Sequence, residues 1–152
     1  MELFSNLALG LETAFTLQNL FYCLVGVFVG TAVGVLPGLG PIATIAMLLP
    51  ATFGLPPESA LIMLAGIYYC AQYGGSTTAI LVNLPGESSS VVTALDGYQM
   101  ARNGNAGKAL ATAAIASFFA GSVATVLLAL AAPPLADMAL EFGPAEIGRA
   151  HV

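Results

Sequence analysis

The stretch Tyr73-Gly-Gly-Ser-Thr-Thr-Ala-Ile-Leu-Val-Asn-Leu-Pro-Gly-Glu87 lies inside an apolar run but is itself polar and unfavourable to a helix. Its helix-breaking and hydrogen-bonding residues are Gly74, Gly75, Pro85 and Gly86, and Ser76, Thr77, Thr78 and Asn83. In a bilayer, backbone N–H and C=O groups without partners are costly, so non-helical backbone survives only where protein covers it or where it lines a wet cavity. The stretch therefore predicts a helix broken at Gly74-Gly75, with a site for a transported solute at the break.

The composition of the whole chain indicates a membrane protein. Of its 152 residues, 58% are hydrophobic and 7% are charged, and the mean hydropathy is +0.90. A soluble domain carries about 25% charged residues. The net charge of −5 comes without a basic cluster for nucleic acid, and Cys23 and Cys70 match no metal or redox spacing. We expect an all-α, polytopic membrane protein with discontinuous or re-entrant helices.

The N-terminal third predicts a short helix and a first span. Residues 3–16 have the pattern of a short helix at the membrane interface, or of a frayed leader. The apolar run from Asn19 to Leu36 follows, with a glycine at every fourth position: Gly26, Gly30 and Gly34. Small residues at this spacing let another helix approach closely, so we expect this face to pack against a second helix.

The segment after the first span predicts a second break. Leu36-Pro-Gly-Leu-Gly-Pro41 cannot continue a helix, and the apolar run from Ile42 to Leu49 is too short to cross a bilayer before Pro50. A discontinuous or re-entrant half-helix fits this pattern better than a turn between two complete spans. Glu58-Ser59 then has the residue types of a helix start, and we expect this helix to run from Ala60 to about Gln72.

A tripeptide occurs twice, as Leu36-Pro37-Gly38 and as Leu84-Pro85-Gly86. Each copy follows a short apolar segment and precedes a new helix. We therefore expect two broken elements that face one another, as in a carrier built from repeats.

The remaining chain predicts a polar connection and a last span. After Glu87, the residues Ser88, Ser89 and Ser90 are suited to cap a helix, which Asp96-Gly97-Tyr98 should interrupt and Arg102-Asn-Gly-Asn105 should end. The basic side chains Arg102 and Lys108 place this connection in the cytoplasm. The run from Ala109 to Ala132 should be a closely packed span that Pro133-Pro134 stops, with an interfacial helix over 135–142.

Three strings resemble the N-terminal part of the large membrane subunit, TctA type, of the tripartite tricarboxylate transporters. They are GVLPGLGPIATIAMLLP (34–50), YYCAQYGGSTTAILVNLPGE (68–87) and LDGYQMARNGNAGKAL (95–110). The resemblance covers about residues 15–146. It implies a multi-pass carrier of the bacterial inner membrane that imports citrate and related carboxylates by symport with Na⁺ or H⁺. It also implies two partners, a small membrane subunit and a periplasmic solute-binding protein.

The resemblance also divides the chain. The family's subunit is several times longer, so residues 1–146 should be its N-terminal portion, a fragment that is inactive alone. Residues 147–152, Ile-Gly-Arg-Ala-His-Val, depart from the family pattern and resemble a translated sequencing adapter, although a genuine C-terminus is the alternative. We therefore expect this tail to be non-native, and we assign no role to Arg149 or His151.

The apolar runs contain no Arg or Lys, so a carboxylate must be held by helix N-termini and neutral hydrogen bonds. The predicted substrate-binding residues are Pro37, Gly38, Gly40, Gly74, Gly75, Ser76, Thr77, Thr78 and Asn83. The coupling Na⁺ or H⁺ is assigned to Thr78, Asn83 and Asp96, and we expect no other cofactor, bound metal or catalytic residue. Hydroxyls bonded back to their own helix are the alternative for the segment 76–78, and a solvated carboxylate or cap is the alternative for Asp96. Glu87 fits a helix cap better than a cation ligand.

Other functions remain open beside this one. An intramembrane protease needs a histidine base or two membrane carboxylates, whereas the chain offers His151 in the tail and Asp96, so we expect no enzyme. A broken-helix carrier for a different anion is the main alternative. A membrane scaffold that transports nothing is a further one, although such a protein would not need the repeated Leu-Pro-Gly tripeptide.

Overall fold

The computed structural model describes the backbone of residues 2–141 and most side chains between residues 4 and 138. Within that range the chain is all α-helical, as the composition predicts. The helices are α1 (Glu2–Ala14), α2 (Leu17–Gly34), α3 (Pro41–Leu48), α4 (Pro57–Val82), α5 (Ser90–Met100) and α6 (Ala106–Glu141). A 3₁₀ turn, Leu49–Thr52, extends α3, and a π-helical turn, Ala101–Asn105, joins α5 to α6. Two stretches, Leu17–Gly34 and Ser90–Ala136, contain helix that is long and apolar enough to cross a membrane.

Contacts divide the chain into two units, residues 1–113 and residues 114–152. The first unit contains α1 to α5 and the start of α6, and it holds the predicted site. The second unit is the remainder of α6 as far as the structure describes it.

The backbones of α2 and α4 lie directly against each other along a row of glycines. A Cβ atom added to Gly30 would lie 2.5 Å from the carbonyl oxygen of Ile67. The opposed residues are Gly26 with Met63, Gly30 with Ile67, and Gly34 with Ala71. The residue numbers of the opposed pairs increase together along both helices, so α2 and α4 are parallel. The close helix packing that the glycine spacing predicts is confirmed.

A parallel pair requires the chain to return along the length of α2 before α4 begins. The 18 residues of α2 extend about 27 Å. The hydroxyl of Ser59, in the first turn of α4, donates a hydrogen bond of 2.6 Å to Oδ1 of Asn19, near the start of α2. The short segment Pro41–Thr52 therefore makes the return, and the break predicted after α2 is confirmed. Pro50 does not end this segment, because a proline fits the first turn of the 3₁₀ helix that follows.

Asn19 and Ser59 form a buried polar contact between α2 and α4. Both side chains are less than 5% exposed. The amide of Asn19 also donates a 2.7 Å hydrogen bond to the carbonyl oxygen of Thr13, so both of its polar ends are paired. The Ser59 hydroxyl thus bonds to another helix and does not cap α4. Glu58 lies in the first turn of α4, as the prediction required.

Gly74 and Gly75 lie inside α4, which is continuous from Pro57 to Val82, so the predicted break at these residues is wrong. Both glycines are buried, and their lack of a side chain lets neighbouring backbone segments approach α4 closely. A Cβ atom on Gly74 would lie 2.7 Å from the carbonyl carbon of Gly34, and one on Gly75 would lie 3.3 Å from Cα of Gly86. A glycine costs a helix about 1 kcal/mol relative to alanine. Packing on two sides of α4 offsets that cost, and the helix does not break.

The chain instead breaks at the end of α4. Asn83 ends the helix in the left-handed conformation (φ 58°), with its N–H bonded to the carbonyl of Thr78. Gly86 then lies against Gly75, two helical turns before the end of α4. Residues 84–89 therefore fold back along α4 before α5 begins.

Two further predicted interruptions are wrong. Asp96-Gly97-Tyr98 lies within the continuous helix α5, where Gly97 is buried against the side chain of Ile80. Pro133 and Pro134 lie inside α6. A proline removes one backbone hydrogen bond and crowds the carbonyl four positions earlier, but its φ angle is helical, and α6 continues through both prolines. The prediction of a separate interfacial helix over 135–142 is therefore wrong for residues 135–141, which continue α6. Phe142 lies outside the described residues.

The interruption predicted between residues 102 and 105 is confirmed. Asn103 and Gly104 leave the helical conformation, and Gly104 has a φ of +77°. The chain changes direction here between α5 and α6.

The glycine contact between α2 and α4 has a direct consequence for stability. We expect Gly30→Ala to lower the free energy of unfolding by about 1 to 3 kcal/mol, because the new methyl group forces the two backbones apart. Gly10→Ala in α1 is the matched control, since no atom lies within 4 Å of its added Cβ. That change should be neutral or stabilise by up to about 1 kcal/mol. Unfolding of the purified protein in detergent, followed by far-UV circular dichroism, measures both, and equal effects would contradict the contact.

Candidate functional site

The two Leu-Pro-Gly loops meet beside α4. The first loop, residues 35–40, joins α2 to α3, and the second, residues 83–89, joins α4 to α5. A Cβ atom added to Gly86 would lie 3.4 Å from the carbonyl oxygen of Gly34, and one on Gly40 would lie 3.7 Å from Cβ of Glu87. The two breaks do face each other, as the repeated tripeptide predicts.

We call this region the loop junction and define it as residues 34–41, 72–78 and 84–90. Glycines make it possible, because Gly34, Gly74, Gly75 and Gly86 meet without a side chain between them. A side chain at Gly34 or Gly74 would separate α2 from α4, and one at Gly75 or Gly86 would separate the second loop from α4.

The N-terminus of α3 supplies hydrogen-bond donors to the loop junction. The first N–H groups of a helix have no partner within that helix. Pro41 at the first position has no N–H, and the N–H of Thr44 is bonded to the carbonyl of Gly40 at 3.1 Å. The N–H groups of Ile42 and Ala43 therefore remain as the donors at the positive end of the helix dipole.

The predicted substrate residues of the first loop lie at the surface. Pro37 and Gly38 are exposed, and Gly38 has a left-handed φ of 87° with open space around its Cα. A glycine suits this turn because other residues rarely adopt that φ. The first loop thus presents its backbone without side chains that would cover it.

The hydroxyl groups that follow Gly75 bond back to their own helix, as the alternative interpretation expects. Oγ1 of Thr77 donates to the carbonyl oxygen of Tyr73 at 3.2 Å, and Oγ1 of Thr78 donates to that of Gly75 at 3.0 Å. A hydroxyl has one donor but two acceptor lone pairs. In this geometry Thr77 and Thr78 offer an oxygen to a cation more readily than a proton to a carboxylate. Ser76 is half-buried on the same part of α4.

Asn83 borders the loop junction, where its N–H bonds to the carbonyl of Thr78, whereas Asp96 lies on α5 outside the junction. The side chain of Asn83 is exposed at the end of α4, where the residue serves as the left-handed cap. Asp96 is exposed on α5. Their predicted cation-binding roles stay predictions. Among the described residues, no three His, Cys, Asp or Glu side chains lie together in a metal-binding group. A bound ion would therefore have at most two such side chains as ligands, and backbone and hydroxyl oxygens would supply the rest.

Sequence reasoning missed Gln72 and interpreted Glu87 as a helix cap, although both side chains belong to the loop junction. The hydroxyl of Ser89 donates to Oε1 of Glu87, and Nε2 of Gln72 donates to Oγ of Ser89 at 2.9 Å. Glu87 therefore does not cap α5 with its side chain, and Ser89 at the cap position makes no side-chain capping bond. The available signal was the position of Glu87 immediately after the second Leu-Pro-Gly.

No basic side chain belongs to the loop junction. Helices α2 to α5 contain no Lys or Arg, and Arg102 and Lys108 are exposed near the π-helical turn. The formal charge of the loop junction is thus the negative charge of Glu87. The partial positive charge at the start of α3 opposes it.

The sequence of the chain matches one protein family. Residues 20–149 match the sequence profile of the tripartite tricarboxylate transporter TctA family. The chain is 72% identical over 146 residues to a protein of Agrobacterium vitis described as an uncharacterized 52.8 kDa protein in the TAR-I ttuC' 3' region. The match covers 96% of this chain and 29% of that relative, so the chain spans less than a third of the relative's length. No solved structure matches the chain.

The cap geometry at Asn83 separates a structural role from a ligand role. Asn83→Gly should leave thermal stability unchanged, whereas Asn83→Val should cost about 1 to 2 kcal/mol, because a β-branched residue resists a left-handed φ. Unfolding in detergent measures both variants. Equal stability of the two would show that the cap conformation is unimportant. In a transport assay of the complete carrier, loss of uptake in the stable Asn83→Gly variant would identify Asn83 as a ligand.

Proposed function

Because the chain belongs to the tripartite tricarboxylate transporter TctA family, we propose that it forms part of the membrane subunit of a secondary carrier for citrate or other di- and tricarboxylates. The family match over residues 20–149 carries this proposal. We propose that the carrier is multi-pass in the bacterial inner membrane and imports its substrate by symport with Na⁺ or H⁺. Its partners are a small membrane subunit and a periplasmic solute-binding protein.

The proposed activity belongs to a longer protein. The curated relative is more than three times as long as the segment that this chain matches. A carrier built from repeats completes its site between two halves, and one half moves against the other. We therefore expect residues 1–146 alone to transport nothing.

The loop junction is the proposed place of substrate binding. A substrate carboxylate would accept hydrogen bonds from the N–H groups at the start of α3, beside Pro37, Gly38 and Gly40. Ser76, half-buried on α4, would add a hydroxyl donor, and Thr77 would add one when its hydroxyl turns away from the carbonyl of Tyr73. Gly74 and Gly75 contribute through their lack of side chains, since Gly74 lets the end of α2 approach α4 and Gly75 lets the second loop approach it. An apolar membrane site without Lys or Arg favours this use of helix dipoles.

The coupling ion is proposed to bind to oxygen atoms close to the substrate. Thr78 supports this, because its hydroxyl proton is engaged by Gly75 and its oxygen lone pairs remain. Asn83 and Asp96 stay in the proposal as further oxygen ligands that a conformational change would have to bring closer.

A carrier for a different anion is the second candidate, because neutral donors at a helix N-terminus do not by themselves select citrate. Uptake of labelled citrate, glutarate and other carboxylates by the complete carrier separates these candidates. Absence of any uptake would favour a membrane scaffold. The chain belongs to a family of transporters, and we propose no catalytic chemistry for it.

Substitution of the hydroxyl groups tests the proposed substrate contacts. We expect Ser76→Val and Thr77→Val in the complete carrier to lower citrate uptake at least about tenfold, the effect of losing one hydrogen bond of about 1.4 kcal/mol. Membrane levels of the protein should stay normal.

Thr125→Val in α6 is the matched control for these substitutions. The Thr125 hydroxyl bonds back to the carbonyl of Gly121 at 2.8 Å, as that of Thr77 bonds to Tyr73. Uptake should therefore survive this change. Normal uptake by Ser76→Val and Thr77→Val would remove both residues from the site.

A further inference from the structure

We propose that Glu87 is the residue that couples the cation to the substrate at the loop junction. This inference rests on the proposed carrier function. It adds the side chain through which the binding of a cation and the binding of an anionic substrate depend on each other.

The side chain of Glu87 lies between the first loop and α4. Its Cβ lies 3.7 Å from a Cβ placed on Gly40, and its Cγ lies 3.6 Å from one placed on Gly75. Both neighbours are glycines, so no other side chain fills the space that Glu87 occupies. The residue is half-buried, and it is the only acidic residue of the loop junction.

A chain of hydrogen bonds orients the carboxylate. Gln72 on α4 donates to Oγ of Ser89 at 2.9 Å, and the hydroxyl of Ser89 donates to Oε1 of Glu87. This chain engages Oε1 and connects Glu87 to the rigid helix α4. A carboxylate held in this way keeps its position beside the N-terminus of α3.

Whether Glu87 is negatively charged or neutralised determines its effect on the binding of an anionic substrate. The start of α3 attracts a substrate carboxylate, whereas an ionised Glu87 beside it repels that carboxylate. The substrate binds well only when a proton neutralises Glu87 or when Na⁺ lies between the two carboxylates. Because binding free energies are reciprocal, a cation that favours substrate binding is itself bound more tightly when substrate is present. Such mutual dependence is the basis of symport.

The groups around Glu87 offer no other charge for this purpose. The end of α2 and the whole of α3 carry no titratable side chain. On α4 the nearest titratable residue is Tyr73, whose hydroxyl donates to the carbonyl of Leu110. On α5 they are Asp96, which is exposed, and Tyr98. Within the loop junction Glu87 is therefore the group that a proton or a sodium ion neutralises.

Transport by the complete carrier, reconstituted in proteoliposomes with its solute-binding protein, tests this assignment. Glu87→Gln keeps the shape of the side chain and an oxygen for the Ser89 hydroxyl, but it removes the charge. We expect accumulation of citrate driven by a cation gradient to fall at least about tenfold. Exchange of internal for external citrate, which needs no gradient, should continue.

Two gradients identify the cation. A Na⁺ gradient at constant pH and a pH gradient without Na⁺ are applied separately to the wild-type carrier. The gradient that drives accumulation in the wild type should have no effect in Glu87→Gln. Glu58→Gln is the matched control, since Glu58 is exposed in the first turn of α4 and its loss should leave accumulation unchanged.

Glu87→Asp keeps the proposal testable if Glu87→Gln does not reach the membrane. The shorter acid retains the charge, so accumulation should still depend on the cation but require a higher cation concentration. A variant without cation dependence would contradict the coupling role in that case.

The outcomes distinguish this inference from the proposed function. Wild-type cation dependence in Glu87→Gln, with normal accumulation, would overturn the role of Glu87 and leave the carrier function intact. Loss of cation dependence in Asp96→Asn but not in Glu87→Gln would assign coupling to α5 instead. A wild-type carrier that moves no carboxylate under either gradient would overturn both proposals.

Discussion

The direct contact between the backbones of α2 and α4 is the constraint on which the rest of this structure depends. Gly26, Gly30 and Gly34 remove the side chains that would keep the helices apart along the C-terminal half of α2. Because the two helices are parallel, the chain must return between them, and α3 with its 3₁₀ turn makes that return. Lipid tails are as apolar as the side chains of a span, so helices in a bilayer associate through close packing and not through exclusion of water. A row of small residues therefore has a large effect.

The same contact determines where irregular backbone lies. Gly34 is the last residue of α2 and also the residue that Gly74 approaches, and the second loop folds back to reach the same place through Gly86 and Gly75. Two non-helical segments thus come together against an intact helix. Irregular backbone at membrane depth requires cover from protein or a wet cavity. The loop junction provides such cover at Gly34 and Gly86, which are buried, whereas Pro37 and Gly38 of the first loop are exposed.

A carrier site without basic residues has a particular electrostatic consequence. Backbone dipoles attract an anion without a countercharge that would hold it permanently. A single carboxylate among those dipoles then makes anion binding conditional on a cation. In the loop junction that carboxylate is Glu87, held by Ser89 and Gln72. The arrangement favours reversible binding, which a carrier needs for release on the opposite side.

The sequence alone determined three features: the all-helical membrane class through its hydropathy, the packing face of α2 through the four-residue glycine spacing, and the break at residues 35–40 through Gly38, Gly40 and Pro41. The meeting of the two Leu-Pro-Gly loops was also predictable from their repetition. Gly74, Gly75, Gly97, Pro133 and Pro134 were predicted wrongly, since glycine permits both a bend and a close approach, and proline weakens a helix without always ending it. Only the tertiary structure decided between these outcomes. It places a neighbouring backbone against Gly74 and Gly75, and the position of Glu87 between Gly40 and Gly75 depends on residues far apart in the chain.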